Sequence, residues 1–182
     1  MTTMIDIYDY NIVKTDIPVL TRINDKYINT NCYLSNFNIE SENLKNILSG
    51  FDYKYNILDH IKQFGCSPRY TPVLYILTNS NIQTPDFNIF QDLLSVALFL
   101  DKGKDTYTWL DFFEVNNNFR RNVATKQKYK RVGGSMLKSL QQNYIHQGIE
   151  GRSNYGALNF YFAYGFKRTD DHELYIQWQP QR

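Results

Sequence analysis

The stretch KYKRVGGSMLKSL, Lys128 to Leu140, decides how this chain is read. A basic run meets two glycines and a helical pattern begins at once. Leu137, Leu140 and Tyr144 follow at spacings of three and four, one face of a helix. A loop of this kind at a helix start presents backbone N–H groups and the positive end of the helix dipole. Gly133 and Gly134 carry no Cβ, so a ligand can come close to the main chain. Lys128, Lys130 and Arg131 add positive charge. Such a loop suits a phosphate or diphosphate; a solvated basic loop that merely caps a helix would read the same way.

A second stretch, SNYGALNFYFAYGF from Ser153 to Phe166, separates the two readings. Together the segments resemble the GNAT superfamily of N-acetyltransferases, over about residues 107–178. The family's phosphate loop reads Q/R-x-x-G-x-G/A and then opens a helix. Lys128 stands at the Q/R place, Arg131 at the first Gly, Val132 at the apolar place and Gly133 at the last Gly. The later family motif is roughly N-x-x-A-x-x-aromatic-Tyr-x-x-x-Gly-Phe. Asn154, Ala157, Phe160, Tyr161, Gly165 and Phe166 fit every place. The first motif departs twice, with Lys for Gln/Arg and Arg for the first Gly.

The resemblance implies a single α/β (α+β) domain over residues 1–182: a central mixed, mostly antiparallel sheet, flanked by helices and splayed at a cofactor cleft. Residues 1–70 would hold the first strand and the acceptor-side helices, and residues 71–182 the sheet core and the acetyl-CoA site. Acetyl-CoA is the implied donor, attacked directly by an acceptor amine. Val132, Gly133, Gly134 and Ser135 would offer N–H groups to the pyrophosphate, and Lys128, Lys130 or Arg131 would pair with phosphate oxygens. Backbone of Phe113 to Val115 would run beside pantetheine. Tyr161 stands where the family has a tyrosine near the cofactor sulfur, and a phenol can protonate a departing thiolate. Its other reading is a buried aromatic beside Phe160. Asn154 would hydrogen-bond the cofactor or act as a turn or N-cap residue. Glu114 and Asp111 are the candidate bases; the alternation of a strand puts them on opposite faces.

Along the chain, Ile5, Ile7 and Tyr8 to Ile12 read as a first strand. Thr15-Asp16-Ile17-Pro18 reads as a helix entry, with Val19, Leu20 and Ile23 as its apolar stripe. Residues 24–40 read as loop. Leu44, Ile47 and Leu48, stopped by Gly50, and Ile57, Leu58, Ile61 and Phe64, stopped by Gly65, predict two helices. Ser67-Pro68 is a break, and Asn79 to Asn88 a loop around Pro85. Pro72–Thr78, Leu93–Leu100 and Tyr107–Val115 predict strands, the last two joined by a hairpin-like turn at DKGKD. The third strand should end near Val115 and lead into a long loop through Gln127, since three consecutive asparagines favour a turn. A helix over Gly134–Gln147, a strand over Ile149–Ser153 and a short helix over Tyr155–Tyr164 follow, the last with Gly165 as its C′ residue. Strands over Phe166–Arg168 and Leu174–Trp178, turning at Asp170-Asp171, close the order.

Composition narrows the rest. With 182 residues the chain suits one domain with a substantial core. A net charge of +2 gives no general pull toward nucleic acid or an anionic membrane. No apolar run approaches the roughly 20 residues needed to span a bilayer, and the acidic N-terminus lacks signal-peptide features, so a cytoplasmic location is expected. Cys32 and Cys66 are expected to be reduced. His60, His146 and His172 are scattered, so no metal site is expected and each reads as a surface residue. The acceptor is a small-molecule or peptide amine, for which the aromatics of Tyr27–Phe37 and Phe51–Tyr55 could line a pocket; a homodimer is open. Two competitors stand beside the acetyltransferase. One is a nucleic-acid binder using Arg120, Arg121, Lys126, Lys128, Lys130 and Arg131 with Tyr129 for stacking; its weakness is that Gly134 to Tyr144 carries only Lys138 as a cation. The other is a CoA-binding family member without turnover, motivated by Arg131.

Overall fold

The computed structural model describes residues 9–79, 92–103, 107–119, 128–169 and 172–181. In chain order its elements begin with β1 (Tyr10–Ile23), β2 (Lys26–Phe37), α1 (Leu44–Ile47) with a following 3-10 turn (Leu48–Gly50), α2 (Lys54–Gly65) and β3 (Thr71–Thr78). Next come β4 (Leu93–Asp101), β5 (Thr108–Val115), a 3-10 turn (Asn117–Phe119), β6 (Tyr129–Lys130) and α3 (Val132–Asn143). The chain closes with β7 (Ile149–Arg152), α4 (Leu158–Ala163), β8 (Lys167–Arg168) and β9 (Tyr175–Trp178). The strands form one nine-stranded sheet in the order β6-β1-β2-β3-β4-β5-β7-β9-β8. Neighbours are antiparallel except β5 and β7, which run parallel. This is the mixed, mostly antiparallel α/β sheet expected.

Helices cover both faces. Leu74, Ile76, Val96 and Leu98 of β3 and β4 pack on one side with Leu44, Ile47, Ile57 and Ile61 of α1 and α2. Their alternate residues Tyr75, Leu77, Ala97 and Phe99 pack on the other side with Met136, Leu137 and Leu140 of α3 and with Leu158 and Tyr161 of α4. Burial on both faces is why these strands read as unbroken apolar runs rather than alternating ones. Among the described residues no helix is long and apolar enough to cross a membrane.

The expected helix at Thr15–Ile23 and the loop over 24–40 are both wrong. They are the two arms of a long hairpin, paired from Tyr10↔Phe37 to Ile23↔Lys26. The turn is Asn24-Asp25, with φ of 50° and 63°. Two successive positive φ values match the twist of the flanking strands, and Asn and Asp tolerate them best after Gly. Thr15 and Asp16, the supposed helix entry, form a bulge between the paired Lys14 and Ile17, with Asp16 at φ 61°. Burial of Ile17, Val19 and Thr21, with Pro18 exposed, has the period of a strand. Pro18 is tolerated because, among the described residues, β1 pairs with its outer neighbour β6 at Leu20 and Thr21 and not at Pro18.

The other elements match within a few residues. β5 ends at Val115 as expected. α3 starts two residues before Gly134 and gives way to turns after Asn143. The first-strand residues Ile5, Ile7 and Tyr8, most of the 79–88 loop, part of the DKGKD turn, residues 120–127 and the Asp170-Asp171 turn lie outside the described residues.

Candidate functional site

The parallel pair β5–β7 is short. It holds Thr108↔Ile149, Trp109↔Glu150 and Leu110↔Gly151, then stops. Gly151 stands at the last of these pairs, where a Cβ would lie 3.0 Å from the Leu110 carbonyl oxygen. Directly after Leu110, the pairing of β5 with β4 slips, because Phe99 faces Leu110 while Leu98 faces Phe112. Asp111 is the extra residue of this bulge, which bends the strand and re-aims its side chains. Beyond it, Phe113 packs against Phe160 and Tyr161, with ring centroids 5.9 and 6.5 Å apart.

Two openings lie along this gap. One, of about 260 Å³, is lined by Tyr53, Asp111, Phe113, Asn154, Ala157 and Tyr161 among others. The second, of about 360 Å³, is lined by Val115, Arg131, Val132, Gly133, Gly134 and Tyr164 among others. The residues of the two sequence motifs are therefore gathered beside the end of β5.

At the second opening α3 begins without a side-chain cap among the described residues. Its first internal hydrogen bond runs from Ser135 N–H to Arg131 O, 2.9 Å, so the N–H groups of Val132, Gly133 and Gly134 precede the helical ladder. Arg131, at the place of the family's first glycine, has φ 64°; it adopts the left-handed conformation for which glycine is the usual residue. A Cβ on Gly133 would lie 3.4 Å from Val115 Cγ2 and 3.5 Å from Phe160 Cζ. Gly134 is closed differently, since a Cβ there would overlap the Tyr164 hydroxyl. Ser135 is occupied elsewhere: its hydroxyl donates to Pro18 O at 2.6 Å, tying α3 to the hairpin. The Lys130 ammonium lies 3.9 Å from the centre of the Tyr27 ring, and that of Lys128 5.2 Å from the Tyr129 ring.

Tyr161 is positioned by the way α4 ends. Phe166 N–H donates to Tyr161 O and Gly165 N–H to Phe162 O, with Gly165 at φ 84°. This is a Schellman closure, and its usual apolar contact is present as the Tyr161–Phe166 ring pair, 5.3 Å between centroids. Burial pushes the Tyr161 phenol well above its ordinary range, so it holds its proton until a strong base appears beside it. Asn154 opens the preceding turn, its Oδ1 accepting Ala157 N–H at 2.9 Å. That is its turn role, and it also lines the first opening.

The two carboxylates on β5 are not on opposite faces, because the bulge resets the alternation. Both turn toward α2. The Glu114 carboxylate accepts Asp52 N–H at 2.7 Å and Tyr53 N–H at 3.2 Å, just ahead of α2, and is buried. Asp111 meets His60 of α2, 2.6 Å from Oδ2 to Nδ1, and accepts Trp109 Nε1–H at 3.4 Å. The His60 ring packs edge-on against Phe64 and Phe112. His60 had read as a surface residue of no role. Nothing in its spacing announces the pairing, which depends on α2 lying across β5.

Of the aromatics set aside for an acceptor pocket, Phe37 and Phe51 are core, Tyr55 is exposed and Tyr53 lines the first opening. Tyr129 is buried, edge-to-face with Phe119 and hydrogen-bonded by Asn79, so it is not available to stack on a base. Arg120, Arg121 and Lys126 lie outside the described residues. Cys32 is buried, which pushes its thiol up to about 12. Among the described residues no cluster could hold a metal ion.

In fold the chain is similar to solved structures of acetyl-CoA- and CoA-bound proteins. The AtaT toxin, with a tyrosine-to-phenylalanine substitution and bound to acetyl-CoA and to the C-terminus of its antitoxin AtaR, matches over 81% of this chain and 92% of its own. The TM-score is 0.51 and the identity 10%. The PaiA N-acetyltransferase of Thermoplasma acidophilum, in complex with coenzyme A, matches over 81% of this chain and 98% of its own, with TM-score 0.46 and 12% identity. No protein-family model and no curated protein matches the chain.

Proposed function

We propose that this protein is an acetyl-CoA-dependent N-acetyltransferase acting on a primary amine. The observation that carries the reading is the gap itself: β5 and β7 part at Asp111 between a glycine-led helix start and a chamber under a buried tyrosine. Bound acetyl-CoA would supply an activated acetyl group as a thioester. The N–H groups of Val132, Gly133 and Gly134 suit its diphosphate, helped by the helix dipole and by Lys128, Lys130 and Arg131. Phe113 and Val115 flank the path between the two openings. Tyr161, protonated because it is buried, gives its proton to the leaving sulfur. Asp111 faces the chamber and suits the incoming amine; Glu114 and Ser135 are committed to the protein's own backbone and are left out of the machinery.

The test has two parts. Calorimetric titration should show CoA binding by the intact protein and none by Gly133→Glu, which puts a carboxylate into the anion cradle. Free-thiol release from acetyl-CoA with a panel of primary amines should then be slower by about 10²-fold or more in Tyr161→Phe, with CoA affinity unchanged. CoA binding that survives Gly133→Glu, or full turnover in Tyr161→Phe, refutes the corresponding assignment.

A further inference from the structure

We infer that His60 is the proton exit of the acetyl-transfer site, acting through Asp111; the inference rests on the acetyltransferase reading above. Asp111 lies at the bulge and on the chamber wall, and its side chain is 10% exposed. His60 is 35% exposed and touches the opposite side of the same carboxylate through Nδ1. The pair thus runs from the chamber wall to a more exposed imidazole. Aromatic rings hold both partners: Phe64 and Phe112 against the imidazole, and the Trp109 indole donating to the other carboxylate oxygen.

The chemistry needs such an exit. Primary amines arrive as ammonium ions, and an anionic carboxylate among Tyr53, Phe112 and Phe113 attracts that form. Carboxylates as a class titrate at about 4 and imidazoles at about 6.5, against about 10 for an alkylammonium such as lysine's. A lone carboxylate is therefore a weak base toward such an amine, and handing the proton on to an imidazole narrows the gap. The ammonium gives one proton to Asp111, which passes it to His60 Nδ1 when the imidazole is in its Nε2–H tautomer; Nε2–H releases a proton to water, and a turn of the ring restores the tautomer. The neutral nitrogen attacks the thioester carbonyl; a C–N bond forms and the C–S bond breaks. Tyr161 protonates the sulfur and is reprotonated by the second proton that the nitrogen loses. One proton per turnover leaves, by way of His60.

Of the other charged and titratable groups nearby, Arg152 at the end of β7 lines the chamber together with Asp111, while Glu114, Lys102 and Tyr53 have contacts elsewhere. Glu114 holds the N–H groups ahead of α2. Lys102, after β4, lies over the Trp109 and Tyr70 rings. Tyr53, at the start of α2, packs on Phe112. Among the described residues Asp111 is the ionic partner of His60.

The experiment uses the full chain, acetyl-CoA, and n-butylamine, spermidine and lysine methyl ester as acceptors. For the best of these, kcat/KM is followed from about pH 5 to 9.5, across the imidazole range. The intact protein should show a rising limb in that range. His60→Gln, which keeps a hydrogen-bonding amide but cannot carry a proton, should lose about 10²-fold. Its limb should move up to the amine's own titration, with CoA affinity unchanged. His60→Ala should recover at least about tenfold with added imidazole, a response that lost packing alone would not give. An unchanged rate and limb in His60→Gln, or a loss in folded His60→Ala that imidazole does not relieve, overturns the relay. CoA binding without acetylation of any acceptor sinks the relay and leaves the cofactor site standing; absence of CoA binding removes both.

Discussion

Gly134→Ala isolates the contact that closes the glycine loop from above. A Cβ at this position would overlap the Tyr164 hydroxyl and stand 2.6 Å from Cζ and 3.4 Å from Cε1. The first two distances are shorter than atoms tolerate, so the ring must move. It is held by Phe160, 5.1 Å between centroids, and the Tyr164 carbonyl is anchored by Gln141 Nε2–H at 2.8 Å. Overpacking of this kind costs about 1–3 kcal/mol. For a chain of this length that is a fall in Tm of about 2–12 °C. Gly133→Ala is the control. Its Cβ would meet Val115, Phe160 and Phe113 at 3.4–3.6 Å, ordinary contact, and replacing glycine inside a helix gains up to about 1 kcal/mol.

The decisive measurement is a double-mutant cycle by urea denaturation with Tyr164→Ala. Removing the ring removes what the new methyl strikes, so Gly134→Ala should cost little or nothing in the Tyr164→Ala background. The coupling should then equal most of the single-mutant cost. A Gly134→Ala protein as stable as the parent, or an equal loss in both backgrounds, refutes the contact. CoA titration of the same variants separates this packing role from the anion cradle, because Tyr164→Ala leaves the α3 N–H groups in place.

Three further outcomes follow from the geometry. Arg131→Gly relieves a left-handed residue and should raise stability by up to about 1 kcal/mol in urea melts, while weakening CoA binding through loss of the guanidinium. Glu114→Ala leaves the Asp52 and Tyr53 N–H groups without their carboxylate acceptor. It should cost about 1–3 kcal/mol of stability yet keep kcat per folded molecule, whereas a general base would lose kcat first. Asp101 is raised by burial, against the hydrogen bonds from Thr108 and Tyr144. A raised folded value means stability present below the unfolded value and lost as pH climbs through the folded one. Asp101→Asn should therefore gain on the parent progressively from acid toward neutral pH, read as urea midpoints.

Local signals carried most of the fold. The apolar runs of β3 and β4, the helical spacing of α2 and α3, and Gly165 at the end of α4 each state their own conformation. The hairpin was hidden because its turn is Asn-Asp, lacking the glycine that usually marks two positive φ values, and because Thr-Asp-Ile-Pro imitates a helix entry. Both glycines of the loop were visible, but not their different purposes. That Gly134 admits a tyrosine from α4 while Gly133 faces β5 is set by packing between distant segments.

The bulge at Asp111 shows why the site was less legible than the fold. Strand parity from sequence separates Asp111 from Glu114; one inserted residue puts both toward α2, and only the register against β4 reveals it. The same insertion follows directly on the last pair shared with β7, so a single irregularity accounts for the opening, for a carboxylate on its wall and for that carboxylate's contact with His60. A strand of regular pleat here would keep Asp111 on the Trp109 side and turn Glu114 toward Phe160, against the motif helix. Deleting Asp111 should therefore do more than remove a carboxylate. It should also remove the bulge and let the parallel pairing run on past Leu110, while Glu114 keeps its place opposite Val96 and at the start of α2, so loss of CoA binding with α2 protection retained in hydrogen exchange is the expected result. Retention of CoA binding would mean that the gap does not depend on the bulge.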